Sequence, residues 1–412
     1  MPQGFFSRTS LNSFVIDSTG RNPAGSSRCG GGCKLLLSAH TPRISVAGDG
    51  RKGILIIAEA PDGNEDQSGK AFTGIRGGML ENILAGYGIN MKGDCRLTYA
   101  VCCKLSGKEG DMGDRNPEPK EVEACRFMWR QEIAKNPPKL VILCGISAFV
   151  SYWGGRDLGW GFPMEEWRGM VIPDQENQCL VAHTFSLTDV LYSQKEPQIL
   201  TVFKNDLRAA LAQLQTPLPS NPEKTTIRLI KNPNEALDYL EMVEKSGKVF
   251  AFDYETTGLK PYLPQHKIVS LGLSCQSGEG VAFLLYPEIE SVFAQILANP
   301  AIKKIAANLK FEHQWSAVKL GVEVQGWAWD TMLSSHILDY RTHIHSLKRQ
   351  AFIQLGKKRW DRTVEKWLHA VEDSPNALNR IQNIHVDDLL FYNAMDAALE
   401  YRLACRQKVL IK

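Results

Sequence analysis

Three prolines fall within seven residues at Thr216-Pro217-Leu218-Pro219-Ser220-Asn221-Pro222. Proline lacks a backbone N–H and fixes φ, so neither a helix interior nor a central strand runs through such a stretch. It reads as an extended, semi-rigid linker. A chain of 412 residues divided there leaves two pieces, each long enough to bury its own core. On both sides, buried apolar runs alternate with amphipathic ones. Before the break, Gly53–Ala58, Leu97–Val101 and Lys139–Cys144 have strand patterns and Met79–Leu84 a helical one. That order argues for a parallel α/β sheet. After it, strands are expected at 248–253, 267–275, 280–286 and 303–307, and helices near 288–298 and 310–319. The first 28 residues, rich in Ser, Gly, Asn and Arg, are expected to be loosely ordered. The expected division is a flexible segment 1–28, a first domain 29–215, a linker 216–224 and a second domain 225–412, with no repeat linking the halves.

Composition bounds the partners. No run of eighteen apolar residues occurs, so no membrane partner or span is expected. The N-terminus lacks a charged segment followed by an apolar core, which speaks against a secretion signal and for the cytoplasm. Lys and Arg exceed Asp and Glu by only 48 to 45, a formal charge of +3. A nucleic-acid partner would have to be held by local basic patches. Ten cysteines scattered through a chain without a secretion signal point away from a disulfide framework. Cys144, Cys179, Cys275 and Cys405 read as small core residues.

Asp253-Tyr254-Glu255-Thr256-Thr257-Gly258-Leu259 follows the β-prone run Val249–Phe252. Residues two apart in a strand share a face, so Asp253 and Glu255 converge at its end. Two carboxylates pressed together are costly to ionise, and a hard divalent cation removes that cost. Spacing alone fits a pair of solvated loop acids as well. Two later stretches add acids: Asn308-Leu309-Lys310-Phe311-Glu312 after a short apolar run, and Tyr392-Asn393-Ala394-Met395-Asp396 in a helical pattern, where Tyr392 and Asp396 share a face.

These three motifs, in this order, resemble the 3′–5′ proofreading exonuclease domain of the DNA polymerase I family over about residues 225–412. Asp330-Thr331 and His345-Ser346-Leu347 match further. The resemblance implies a ribonuclease H-like α/β fold, which three strands followed by helix, strand and helix also fit. It implies that Asp253, Glu255 and Asp396 hold two Mg²⁺ or Mn²⁺ ions. Glu312 stands where the family has Asp. Tyr392 would position the attacking water, Leu259 would wedge beside the terminal base, and Thr256 and Asn308 would bind substrate. One ion would generate hydroxide and the other stabilise the leaving 3′ oxygen. The implied partner is DNA, chiefly single-stranded 3′ ends, with a separate polymerase subunit as a further partner.

In the first half, Glu59-Ala60-Pro61-Asp62-Gly63-Asn64-Glu65-Asp66 directly follows a buried strand, and Gly69-Lys70-Ala71-Phe72-Thr73-Gly74 comes next. A turn-rich acidic loop and an aromatic at strand ends build pockets in α/β sheets. A charged surface loop with a core Phe is the alternative. The stretch resembles family 4 uracil-DNA glycosylases, which have Gly-Glu-Ala-Pro-Gly, then Glu-Asp, then Pro-Phe-Val-Gly. Arg115-Asn116-Pro117, Glu121, Cys125 and a strand ending at Gly145 extend the match over about residues 25–210. The resemblance implies a three-layer α/β fold in which Glu59 is the pocket acid, Phe72 the stacking aromatic, and Asp66 a neighbour. It also implies a 4Fe–4S cluster on Cys29, Cys33, Cys103 and Cys125, with Cys102 an alternative to Cys103. From the cysteines alone, zinc is an equal candidate.

Two departures matter. Tyr99 stands where the family has the Asn that reads uracil. The family's His-Pro-Ser segment has only His183 as its nearest counterpart, in Val181-Ala182-His183-Thr184-Phe185-Ser186. The expectation is an exonuclease fused to a glycosylase-like domain with lost or altered base excision, as in phage replication enzymes. An active repair enzyme and a non-catalytic docking platform are the rivals.

Overall fold

The computed structural model describes residues 33–105, 115–154, 164–193, 196–370, 372, 374 and 376–411. The 1–28 segment and Cys29 lie outside the described residues. Contacts divide the chain into two units between Pro219 and Ser220.

The first unit holds β1 (Ile54–Ala58), β2 (Cys95–Tyr99), β3 (Leu140–Cys144), β4 (Val171–Asp174) and β5 (Cys179–Thr184), ordered β2-β1-β3-β5-β4. β1 and β3 are buried along their whole length, because helices cover both faces. On one face Ile54 and Ile56 pack with Leu80 and Leu84 of helix Ile75–Ala85 and Phe203 and Leu207 of helix Pro197–Ala212. Helix Ile146–Trp153 lies against β1 and β3 and touches helix Pro119–Lys135, with Tyr152 stacked on Trp129. The sheet is mixed rather than all-parallel, since β4 pairs antiparallel with β5. This four-residue edge strand contains Pro173, which an edge tolerates but which breaks the strand pattern in sequence.

The second unit holds β6 (Thr226–Ile230), β7 (Phe250–Thr256), β8 (Ile268–Ser274), β9 (Glu279–Leu284), β10 (Lys304–Ala306) and β11 (Trp327–Asp330), ordered β11-β10-β7-β8-β9-β6. β7, β8 and β9 form an antiparallel meander, and β10 and β11 continue parallel to β7. This is a ribonuclease H-like arrangement. β6 pairs parallel with β9 at the opposite edge.

β7 separates its two faces by period two. Phe250, Phe252 and Tyr254 meet Phe293 of helix Pro287–Ala298. Ala251 packs with Ala404 of helix Val386–Leu410, and Asp253 and Glu255 share that side. Helix Val386–Leu410 crosses β7, β8 and β9. Two glycines let it approach closely: a Cβ at Gly272 would collide with the Asn393 carbonyl, and one at Gly280 with that of Ala394. Among the described residues no helix is long and apolar enough to cross a membrane.

Candidate functional site

The end of β7 and helix Val386–Leu410 bring three acids together. One oxygen each from Asp253, Glu255 and Asp396 lies within 4.8 Å of the others. Oxygens sharing one Mg²⁺ at 2.0–2.1 Å lie up to about 4.2 Å apart, so small side-chain movements suffice. Hard oxygen donors of this kind suit Mg²⁺ or Mn²⁺. Asn393 fixes the centre from behind. Its Nδ2 donates to Asp253 Oδ2 at 2.7 Å and to the Asp253 carbonyl at 3.1 Å, and its Oδ1 accepts from Ser270 at 2.8 Å. Trp360 Nε1 donates to Asp396 Oδ1.

Burial pushes Asp253, Glu255 and Asp396 above the ordinary carboxylate range. Their mutual repulsion raises Asp253 and Glu255 further, and Lys348 opposes the shift at all three. Lys348 Nζ donates to Tyr392 Oη at 2.6 Å and lies 3.6 Å from Asp396 Oδ2. Lys348 comes from the first turn of helix Leu347–Leu355, capped by Ser346. The His345-Ser346-Leu347 motif therefore delivers the residue that follows it.

Glu312 is 2% exposed and its Oε2 has no hydrogen-bond partner. Burial first, then Asp253, pushes it well above its ordinary range. Asn308 takes a left-handed conformation, φ 63°, which Asn tolerates better than most residues. Asp330 holds this turn, accepting from the Asn308 and Leu309 N–H groups at 3.2 and 3.1 Å while capping helix Thr331–Leu338. The Thr256 side chain donates to the Gly258 carbonyl at 2.8 Å, and Leu259 beyond it is 66% exposed.

Sequence reasoning missed three residues here. Lys348 and Trp360 have no pattern that announces them. Glu400 had a signal, since it lies four residues beyond Asp396 on the same helix. It is fully buried, neither carboxyl oxygen has a hydrogen-bond partner, and burial together with Asp253, Glu312 and Asp396 raises it strongly.

The sign of the pH dependence follows. A carboxyl raised by folding keeps its proton longer in the folded chain than in the unfolded one. The folded state then binds more protons above about pH 4, and stability falls as pH rises through the interval up to the folded pKa. Asp253→Asn removes one such group. Without divalent ions this variant is expected to melt above the wild-type protein, with a gap that widens from pH 5 to pH 8. Thermal melts in a chelator check it, and a gap that narrows would contradict the burial argument.

In the first unit, Phe72 and Tyr99 stack with ring centres 4.9 Å apart and planes 16° from parallel. Both are 2% exposed. The Phe72 N–H donates to Tyr99 Oη at 2.8 Å. Phe72 itself is left-handed, φ 56°, a costly conformation for a bulky residue. The remaining slot, lined by Glu59, Glu65, Phe72, Arg76, Tyr99 and Thr188 among others, has a volume of about 10 Å³. That is room for one water. Burial, then Asp189, pushes Glu59 up to about 7, against a 3.3 Å bond from the Ser147 N–H.

Two expected pocket residues are elsewhere. Asp66 accepts from the backbone N–H groups of His40 and Thr41 at 3.0 and 2.9 Å, so it staples the chain before β1. Its neighbour Glu65 lines the slot instead. His183 is a core residue: Nε2 accepts from Trp153 at 2.8 Å, Nδ1 faces the Met170 carbonyl at 3.2 Å, and burial pushes it down to about 3. The segment reaching the slot from this side is Leu187-Thr188, just beyond β5.

Cys33, Cys102, Cys103 and Cys125 are all buried. The Arg43 N–H donates to Cys103 Sγ at 3.3 Å, and the Cys102 thiol donates to the Tyr99 carbonyl at 3.5 Å.

Comparison with known proteins decides the family of each unit. Residues 46–212 match the uracil DNA glycosylase superfamily, and residues 227–406 match the 3′–5′ exonuclease family. A uracil-DNA glycosylase superfamily domain is followed by a 3′–5′ exonuclease domain. The arrangement is similar to a DNA polymerase of Bacillus phage SP01, 26% identical over 392 residues, covering 87% of this chain and 40% of the relative. The chain thus spans well under half of that polymerase. The glycosylase-superfamily domain is similar to a type-4 uracil-DNA glycosylase of Pyrobaculum aerophilum, 27% identical over 169 residues, 40% of this chain and 80% of the relative. Among solved structures, Brucella melitensis NrnC aligns with 45% of this chain and 81% of its own at 19% identity, with a TM-score of 0.32.

Proposed function

We propose that the exonuclease domain degrades single-stranded DNA from its 3′ end with the help of Mg²⁺ or Mn²⁺, and that the glycosylase-superfamily domain binds DNA without excising bases. The observation that carries the first part is the convergence of Asp253, Glu255 and Asp396 within 4.8 Å beside Tyr392. Divalent ions held there supply Lewis acidity to the attacking water and to the leaving 3′ oxygen. The protein's own residues do the rest. Asn393 and Trp360 fix the carboxylates, and Tyr392 orients the water. Leu259 stands exposed beside the centre, where an apolar side chain stacks on a terminal base. Glu312, buried with a partnerless oxygen and repelled by Asp253, would serve as the acid that the outer side of a two-ion site calls for. The test is an end-labelled oligonucleotide with Mg²⁺ or with chelator. Shortening from the 3′ end is expected with the ion alone, and an intact strand in both would overturn the reading.

Tyr99 carries the second part. Its ring fills the place on Phe72 that a flipped base needs, and about 10 Å³ remains. Leu187 and Thr188 line the slot on the side beyond β5 and bring no imidazole to it. The relatedness to a phage DNA polymerase favours a role in replication, beside a polymerase activity in the same assembly.

We further propose a 4Fe–4S cluster on Cys29, Cys33, Cys103 and Cys125 in the glycosylase-superfamily domain. Supporting it are three buried thiols and the N–H donor aimed at Cys103 Sγ. Cys102, also buried, remains the alternative to Cys103. Protein purified without oxygen is expected to be brown, with about four irons and four sulfides per chain. Stoichiometric zinc, or neither metal, would remove the cluster from the proposal.

A further inference from the structure

We propose that Lys348 is a built-in cation that holds the metal-free centre together and keeps Tyr392 engaged, so that it sets the ion concentration at which the exonuclease turns on. The inference rests on the exonuclease reading above and adds a positioning residue to it.

Three observations carry it. First, the placement runs against local helix physics. Lys348 is the second residue of helix Leu347–Leu355, where the positive end of the helix dipole disfavours a cation. Neighbouring carboxylates offset that cost. Second, the ammonium is tightly framed. Its Nζ lies 2.6 Å from Tyr392 Oη, 3.6 Å from Asp396 Oδ2, 4.7 Å from the Tyr392 ring centre and 5.7 Å from that of Trp360. Asp361, the other acid nearby, already has Arg359 on both oxygens at 2.8 and 3.0 Å. Third, the Tyr392 hydroxyl is engaged. It accepts from Lys348 at 2.6 Å. A phenol so held is tied to the ammonium through its oxygen and is not free to turn towards a water.

A divalent ion at the point shared by Asp253, Glu255 and Asp396 changes this balance. It satisfies the carboxylates that attract Lys348 and repels the ammonium at short range in a low-dielectric setting. The lysine side chain is 25% exposed and ends in a flexible four-carbon stem, so it has a way out towards solvent. Its departure frees Asp396 for the ion and the Tyr392 hydroxyl for the water. Ion binding and the readiness of Tyr392 thereby become one event.

Mn²⁺ titration of the full chain, followed by electron paramagnetic resonance, tests this without measuring nuclease activity. Lys348→Met is expected to bind Mn²⁺ about tenfold more tightly than the wild type, because the competing charge is gone. Lys348→Arg keeps the charge and is expected to stay near the wild-type value. Lys348→Gln gives a second neutral variant should the methionine variant fold poorly, with near-ultraviolet circular dichroism as the check. In the nuclease assay the neutral variants should reach half-maximal rate at a correspondingly lower Mg²⁺ concentration. Neutral variants that fold and bind Mn²⁺ no more tightly than a binding-competent wild type would overturn the inference alone. A wild type and variants that all fail to bind Mn²⁺ would overturn the metal reading, and the inference with it.

Discussion

Asp253→Ala combined with Glu255→Ala is expected to lower metal-dependent 3′-end degradation by at least about 10³-fold. The two changes remove two of the three carboxylates that meet at the centre. Metal assistance is worth several kcal/mol of transition-state stabilisation, and each 1.4 kcal/mol is a factor of ten in rate. The fold should survive, because both are acids whose charged forms the site's desolvation disfavours in the absence of ions. Single-turnover degradation of a labelled oligonucleotide, with a melt of the same sample, separates lost chemistry from lost structure. A folded double variant that still shortens the strand at the wild-type rate would show that the nuclease centre lies elsewhere.

Tyr99→Ala is expected to destabilise the glycosylase-superfamily domain by about 3–5 kcal/mol, the range for removing a buried aromatic ring. The ring is stacked on Phe72, and its oxygen accepts the Phe72 N–H. The variant leaves a flat cavity with an unpaired amide donor, a strained Phe72 and the acid Glu59 on its walls. A free pyrimidine base at millimolar concentration should therefore raise the melting temperature of the variant and leave that of the wild type unchanged. The wild-type protein should produce no alkali-labile sites in uracil-containing DNA. Robust production of such sites would show that Tyr99 moves aside and that the domain is an active glycosylase.

Much of the exonuclease centre was legible because its residues obey simple periods. Asp253 and Glu255 alternate on a strand whose other face is aromatic, and Tyr392 and Asp396 are one helical turn apart. The long apolar strands β1 and β3 were equally plain. What escaped was set by tertiary contact. Lys348 looks like any solvated lysine until the carboxylates around it are in place. β6 is a half-exposed edge strand and β11 is only four residues long, so neither has a strong pattern. Asp66 and His183 sit near pocket residues in sequence, yet one turns back to the chain before β1 and the other into the core. Proximity along a loop does not say which way a side chain faces. Tyr99 was singled out from the sequence, but only the structure shows its ring stacked on Phe72.

The long reach of helix Val386–Leu410 has a consequence in time. Asn393 and Asp253 touch across 140 residues of sequence. At translation rates of about 5–20 residues per second, Asp253 precedes its partner by roughly 7–30 s. Throughout that interval, a nascent chain carries the acids of β7 without the helix that completes the centre. Local pairing of β7, β8 and β9 can proceed meanwhile, but the hydrolytic apparatus comes into being only with the final closure. A message broken before the codon for Asp396 would then yield a fragment without the completed centre rather than an unregulated nuclease.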